Sequence, residues 1–247
     1  MTKEKPIPGA YGARSRAADT GQRVYEALRQ KAIDYTLRPG ERVNEVRLAS
    51  ELDVSRTPVR AGLNRLVSEG FLKLVPNKGF YRPAIDIETI RSLFEMRSAI
   101  ELLSVRLFCE RAGDDQIDAL EHLATVFQRA DDTLSVPQIV DEDERFHESI
   151  AHGSRNSEAA RLLSDMNSRM RFLRLVALER QNCNQVTGED HARIARAIRT
   201  RDSAQAVALM REHIDLMLND VTEIAREAVV RIYLGAGASE SGDNTFS

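Results

Sequence analysis

The sequence is poor in the features that mark several functional classes. It holds only two cysteines, Cys109 and Cys183, and they match no metal-ligand spacing such as CxxC. That excludes a disulfide-rich scaffold, and the pair reads as ordinary thiols of a reducing compartment. No apolar run approaches the roughly 18–20 residues that a membrane span requires. The first eighteen residues lack the apolar core of a secretory signal. Membrane insertion and secretion are therefore not expected, and a cytoplasmic protein is. Seven prolines and thirteen glycines show no collagen-like repeat. What is present is 42% apolar and 30% charged residue in a chain of 247, enough for a buried core in one or two domains.

The net charge of −3 hides an asymmetry. Residues 1–82 carry 16 basic and 9 acidic side chains, a balance of +7, and the remainder carries 19 against 29, a balance of −10. A basic head on an acidic body suggests two domains with different partners, nucleic acid being the first candidate for the head.

Local patterns sharpen the division. Residues 1–18 read as a flexible arm. From Thr20, the positions Val24, Leu28, Ala32 and Tyr35 recur at helical spacing up to Pro39-Gly40. A short helix follows over Asn44–Leu52, then a turn at Asp53-Val54. Ser55 is suited to cap a third helix that ends before Gly70. Two short strands, about Phe71–Val75 and Phe80–Pro83, flank the turn Pro76-Asn77-Lys78-Gly79. After Pro83 only helices are expected. Asp86 opens one to about Ala112, and Asp114 another to near Thr133. Ser135 with Pro137 starts a third to Gly153, and a fourth spans Ser157–Arg180. The polar stretch Gln181–Thr187 breaks the pattern before Gly188–Arg199. Asp202 with Gln205 forms a capping box for a last long helix to Leu234. The tail 235–247 reads as disordered. The expected fold is mostly α. A three-helix, two-stranded winged helix-turn-helix over 19–83 precedes an all-helical bundle over 84–234.

The third helix carries the chemistry of the head. Arg56 and Arg60 are four apart, so they share a face, and Asn64 continues it. Arginine bonds guanine O6 and N7 in a bidentate manner, and asparagine does the same with adenine N6 and N7. Ser55, Thr57 and the first-turn N–H groups suit a backbone phosphate. Arg47 on the second helix is placed to clamp a flanking phosphate, and Lys78-Gly79 at the wing tip to approach the backbone or minor groove. In isolation, such an arginine face is usually only solvated.

In the acidic body, Asp143 and His147 are four apart on one expected helix. His191 and His213 lie about 9 residues before and 11 after a turn near Thr200–Asp202. At a rise of 1.5 Å per residue both stand roughly 14–17 Å from that turn, level with each other in an antiparallel pair. One carboxylate and three imidazoles then converge inside a bundle. Such a set suits zinc first, with nickel, manganese or iron as alternatives, and leaves positions open for an oxygen ligand. On spacing alone, scattered core or surface histidines remain the competing reading. His122 and His152 lack partners and read as structural or exposed. His147-Glu148 with His152 is not a metallopeptidase motif, because a spacing of five puts the second imidazole about 140° round the helix.

Taken together, the run Val43-Asn44-Glu45-Val46-Arg47-Leu48-Ala49, then Val54-Ser55-Arg56-Thr57-Pro58-Val59-Arg60, then Glu69-Gly70-Phe71-Leu72 resembles the GntR family of bacterial transcriptional regulators. One departure is Ala61-Gly62, where the family usually has Glu-Ala. A mid-helix glycine costs roughly 1 kcal/mol relative to alanine, which would loosen the recognition helix. Arg47, Arg56, Thr57, Arg60 and Gly79 match positions that the family uses on DNA. Residues 86–234 resemble the FCD effector domain of the FadR subfamily. The matching pieces are Phe94-Glu95-Met96-Arg97 with Glu101, Asp143-Glu144-Arg145-Phe146-His147, Asn156, and His191 with His213. The resemblance implies a homodimeric regulator, by default a repressor, on a pseudo-palindromic operator in double-stranded DNA. It also implies a divalent metal on Asp143, His147, His191 and His213, and a small carboxylate or hydroxycarboxylate effector. The four ligands argue against an acyl-CoA effector. Arg97 matches a position near the effector pocket, with an ion pair to Glu101 as its alternative. Asn156, Arg169 and Arg174 are further pocket candidates. A regulator that senses metal alone, or a metal-dependent enzyme, are the other classes.

Overall fold

The computed structural model describes residues 10–84, 86–129, 134–181, 184–219 and 221–234. Cys183, residues 130–133 and residues 235–247 lie outside the described residues. The chain divides into two compact units after Ala84.

The first unit is a winged helix. Helix α1 (Ala10–Ile33) begins within the stretch expected as a flexible arm. Residues 10–18 hold four alanines, the best helix formers, and no proline. Helix α2 (Glu45–Glu51) is capped by Asn44, whose side chain accepts from the backbone N–H groups of Val46 and Arg47. Asp53 takes a left-handed conformation (φ 51°) and turns the chain into α3 (Arg56–Ser68). Gly70 (φ 78°) ends α3 as expected. Strands β1 (Lys73–Val75) and β2 (Gly79–Tyr81) form the wing, with Leu74 opposite Phe80.

Val24, Leu28, Leu48, Val59, Leu63, Leu66, Phe71 and Phe80 form one buried cluster that sets α3 on α1 and the wing. Each such side chain contributes about 1.5–3 kcal/mol by leaving water. Gly62 belongs to this contact rather than to a loosened helix. A methyl there would meet Leu28 Cδ1 at 2.9 Å, so the missing side chain lets α1 come close. Residues 40–43 run beside β2. Gly40 N–H donates to Arg82 O, Arg82 N–H to Glu41 O, and Val43 N–H to Phe80 O, at 2.9–3.0 Å. The wing is thus buttressed by the segment that leads into α2.

The second unit is helical throughout its described residues. It comprises α4 (Ile87–Arg111), α5 (Asp114–Arg129), α6 (Val136–Gly153), α7 (Ser157–Gln181), α8 (Asn184–Arg199), α9 (Ser203–Asn219) and α10 (Val221–Leu234). Asp86 caps α4 through Glu88 and Thr89 N–H. Ser135 and Gln138 form a capping box on α6. One expectation is corrected. Residues 184–187, inside the polar stretch read as a break, already belong to helix α8, because polarity without proline does not stop a helix. The expected long helix to Leu234 is described as α9 and α10, on either side of Asp220, which lies outside the described residues. Phe108, Ile117, Leu120, Phe146, Ile150, Ile194, Ile198, Met210 and Ile214 form the main core, which joins α4, α5, α6, α8 and α9.

Candidate DNA interface and metal centre

On the winged unit, the sequence-predicted DNA residues Arg47, Ser55, Arg56, Thr57, Arg60, Asn64 and Lys78 are all exposed, and Gly79 is half-buried. Ser55 sits at the cap position of α3 but makes no capping bond with its side chain. Its hydroxyl is therefore not spent on the helix. Arg60 and Asn64 carry no hydrogen bond or ion pair to the described residues. Arg56 reaches back to Glu45 at 3.9 Å, and Arg47 pairs with Glu51 at 2.7 Å. Surface pairs of this kind are worth about 0–1 kcal/mol, so a phosphate can displace them. Gly79 has φ 92° and Asn77 φ 61°, so the wing turn itself requires both.

In the helical unit, Asp143 and His147 on α6, His191 on α8 and His213 on α9 converge, with one donor atom from each lying within 4.8 Å of the others. His191 Nε2 is 3.2 Å from Asp143 Oδ1, His213 Nε2 is 3.3 Å from His147 Nε2, and His147 Nε2 is 3.6 Å from Asp143 Oδ1. Four donors about 2.05 Å from one ion in a tetrahedron stand about 3.3 Å apart. Asp143, His147 and His191 are buried, and His213 is 9% exposed. The Phe146 ring stacks on His191 with centroids 4.0 Å apart. His122 and His152 are exposed and stand outside the set.

The surroundings fix which nitrogen faces inward. Glu101 Oε2, on α4, lies against His147 Nδ1, and Asp190 Oδ2 lies 3.5 Å from His213 Nδ1. A carboxylate on Nδ1 holds its proton there and leaves Nε2 as an acceptor. Two such acceptors then face each other at 3.3 Å, a repulsive arrangement unless a cation lies between them. Burial and the neighbouring imidazoles push His191 well below the ordinary histidine value. Burial, outweighing Asp190, also lowers His213 from that value. Both are neutral, as metal ligands must be. Burial disfavours ionised Glu101, yet the Arg97 charge and His147 outweigh it and hold its carboxyl well below the usual range.

Arg97 Nε pairs with Glu101 Oε1 at 2.5 Å, both side chains being 2% exposed. Of the two roles open to Arg97, the structure shows the ion pair. Asn156 is engaged otherwise than in a pocket, its Oδ1 accepting from Ala159 N–H at 3.2 Å to cap α7. Arg169 is half-buried on α7. The guanidinium that reaches the centre is Arg174, 1% exposed, against Asp143 Oδ2 and 3.3 Å from Glu144 Oε1. Burial and the Arg97 charge push its pKa well below arginine's ordinary value, and the Glu101 carboxylate opposes that. Sequence reasoning gave no role to Asp190 or Glu144 and ranked Arg174 low. Asp190 carried a signal, since it adjoins His191. Arg174 carried none, standing among five arginines between 161 and 180.

A winged helix with a cationic reading helix, joined to a helical unit with a buried polar centre, defines a DNA-binding regulator with a ligand-sensing domain. The comparisons name the family. Residues 20–81 match bacterial regulatory proteins of the gntR family, and residues 92–216 match the FCD domain. The chain is 36% identical over 202 residues to the Nta operon transcriptional regulator of Aminobacter aminovorans, covering 82% of this chain and 94% of that one. It is 21% identical over 206 residues to the transcriptional repressor RspR of Escherichia coli, covering 83% and 90%. The solved structure of E. coli McbR/YncC shares the fold with a TM-score of 0.62, at 22% identity over 88% of this chain and 98% of that one. The chain belongs to the GntR family of transcriptional regulators and carries an FCD effector-binding domain. It is a regulator and not an enzyme. Among the described residues no helix is long and apolar enough to cross a membrane.

Proposed function

We propose that the chain is a homodimeric repressor that holds a divalent metal in its helical unit and releases DNA on binding a small organic acid. The observation that carries the metal is the pair of inward-facing Nε2 atoms of His147 and His213, 3.3 Å apart, with Asp143 and His191 completing the donor set. Three imidazoles and one carboxylate suit zinc first, with nickel, manganese or iron as alternatives. When bound, the ion supplies Lewis acidity and open positions for an oxygen ligand.

The chain's own residues do the rest. Glu101 and Asp190 hold the imidazole tautomers. Arg97 acts through Glu101, and Asn156 and Arg169 support α7. Arg174 takes the effector carboxylate, exchanging Asp143 Oδ2 for a second carboxylate in a bidentate grip. Arg174 lies on α7, Asp143 on α6, and Glu101 on α4, the first helix after the domain boundary. An acid that binds one arrangement of these helices better shifts the population toward it. Two recognition helices of a dimer read the half-sites of a pseudo-palindrome. A relative named as a repressor supports the sign.

The test is a thermal-shift screen of organic acids on zinc-loaded protein, followed by gel shift. An acid that raises the unfolding temperature and weakens DNA binding is expected. Zinc affinity undiminished in the His191→Ala, His213→Ala double variant would remove the metal assignment. Release of DNA by chelator alone, with no acid active, would make it a metal sensor instead.

A further inference from the structure

A groove in the winged unit runs between the end of α1, the segment before α2 and the wing edge. Lys31, Arg38, Arg42, Arg47 and Arg82 line it, with Glu41 and Glu51 as its two acidic groups. Most of these charges are committed. Glu51 lies 3.2 Å from Lys31 and 2.7 Å from Arg47, and Glu41 lies 3.9 Å from Arg38. Arg82 is buried and donates to the Phe71 carbonyl at 3.0 Å. Arg42 is different. It is exposed and has no carboxylate partner among the described residues.

Arg42 is also held in place. Its backbone forms a bridge with Tyr81 of β2, flanked by the hydrogen bonds of residues 40–43 described above. Its guanidinium lies along the wing glycine, where a methyl on Gly79 would stand 3.6 Å from Nε and 3.7 Å from Nη2. Lys78 is the next residue along the wing tip. The groove thus joins the wing, through Arg42 and Gly79, to α2, through Arg47.

We propose that Arg42 is a DNA-backbone contact, and that the groove takes one phosphodiester between Arg42 and Arg47. Two arginines in a fixed cleft form a charge-assisted phosphate site. The cleft opens beside two elements of the DNA-reading surface, so its phosphate belongs to the duplex rather than to a free anion. Contacts of this kind set register and affinity without reading sequence. The winged unit then grips DNA at the recognition helix, the wing tip and this cleft. The proposal rests on the chain's being a DNA-binding regulator.

The test uses the full chain, a duplex recovered by in-vitro selection with the wild type, and a scrambled duplex of the same composition. Failure of the selection would speak against DNA binding itself and is thus distinct from failure of this proposal. Arg42→Ala should weaken binding to both duplexes by a similar factor, about five- to tenfold near 0.1 M salt, and reduce the slope of log K against log salt by about 0.9 per protomer. Arg42→Lys should keep the slope. An unchanged slope in Arg42→Ala, or a slope lost equally in Arg42→Lys, overturns the proposal. The first shows no phosphate contact, and the second a role in holding the wing. Affinity in sodium phosphate should equal that in sodium chloride of the same ionic strength. Competition specific to phosphate and absent in Arg42→Ala would assign the cleft to free phosphate and overturn the DNA contact.

Discussion

Glu101→Gln separates two jobs that one carboxylate performs. Glu101 neutralises Arg97 at 2.5 Å, and both are 2% exposed. It also lies against His147 Nδ1. Glutamine keeps the volume and an acceptor oxygen but removes the charge. Arg97 is then a buried cation without its counter-charge, which costs about 3–5 kcal/mol. Replacing Arg97 by methionine removes that stranded charge, so Arg97→Met, Glu101→Gln should recover at least half of the loss. Metal affinity should behave differently. The neutral amide orients His147 less firmly and makes it less basic, so affinity should fall about 10–100-fold in both variants. The assay is urea denaturation of chelator-treated full chain by circular dichroism, with Leu63→Ala marking the transition of the winged unit. Zinc affinity is read by competition with a chromophoric chelator. A loss below 1 kcal/mol in Glu101→Gln refutes the charge argument. Recovery of metal affinity along with stability in the double variant refutes the orienting role.

Three other expectations follow from the geometry. A methyl on Gly153 would stand 2.3 Å from Phe108 Cε2, against a ring only 1% exposed, so Gly153→Ala should cost about 1–3 kcal/mol in the same denaturation assay. The folded pKa values of His191 and His213 are depressed, so below about pH 6.5 the unfolded chain binds protons that the folded one refuses. Stability of metal-free protein should therefore fall as pH drops from 7 toward 5, by up to about 1.4 kcal/mol per pH unit for each imidazole, and a flat profile would contradict it. Arg60→Ala should weaken the selected duplex more than the scrambled one, by about 1–3 kcal/mol in gel shift, whereas equal loss on both would make Arg60 a phosphate contact.

Much of this was legible because local rules govern it. Asp86 and Ser135 marked helix starts by capping chemistry, and Gly70 marked an end by its freedom to take a positive φ. The convergence of His191 and His213 followed from the rise per residue on two helices joined by a short turn. The less legible features depend on partners far along the chain. Gly62 looked like a weakness in α3 because its reason, Leu28, lies on another helix. Arg174 looked like one arginine among many because only packing shows that it is buried against Asp143. Arg97 matched a pocket position, yet its i+4 neighbour Glu101 claims it. Polar residues 184–187 resembled a linker because helix propensity there is modest, and the turns of α8 that follow bury Ile194 and Ile198.

The four donors lie on three helices, and the last arrives late. Asp143 and His147 are translated first, and His213 comes 70 residues after Asp143. At 5–20 residues per second the centre stays incomplete for roughly 4–14 s while α7, α8 and α9 emerge from the ribosome. During that interval a nascent chain can offer an ion only two or three of its donors. For the proposed metal, full occupancy would therefore require that α9 has docked, and the stability of the bound state would be withheld from chains whose last donor has not yet been made.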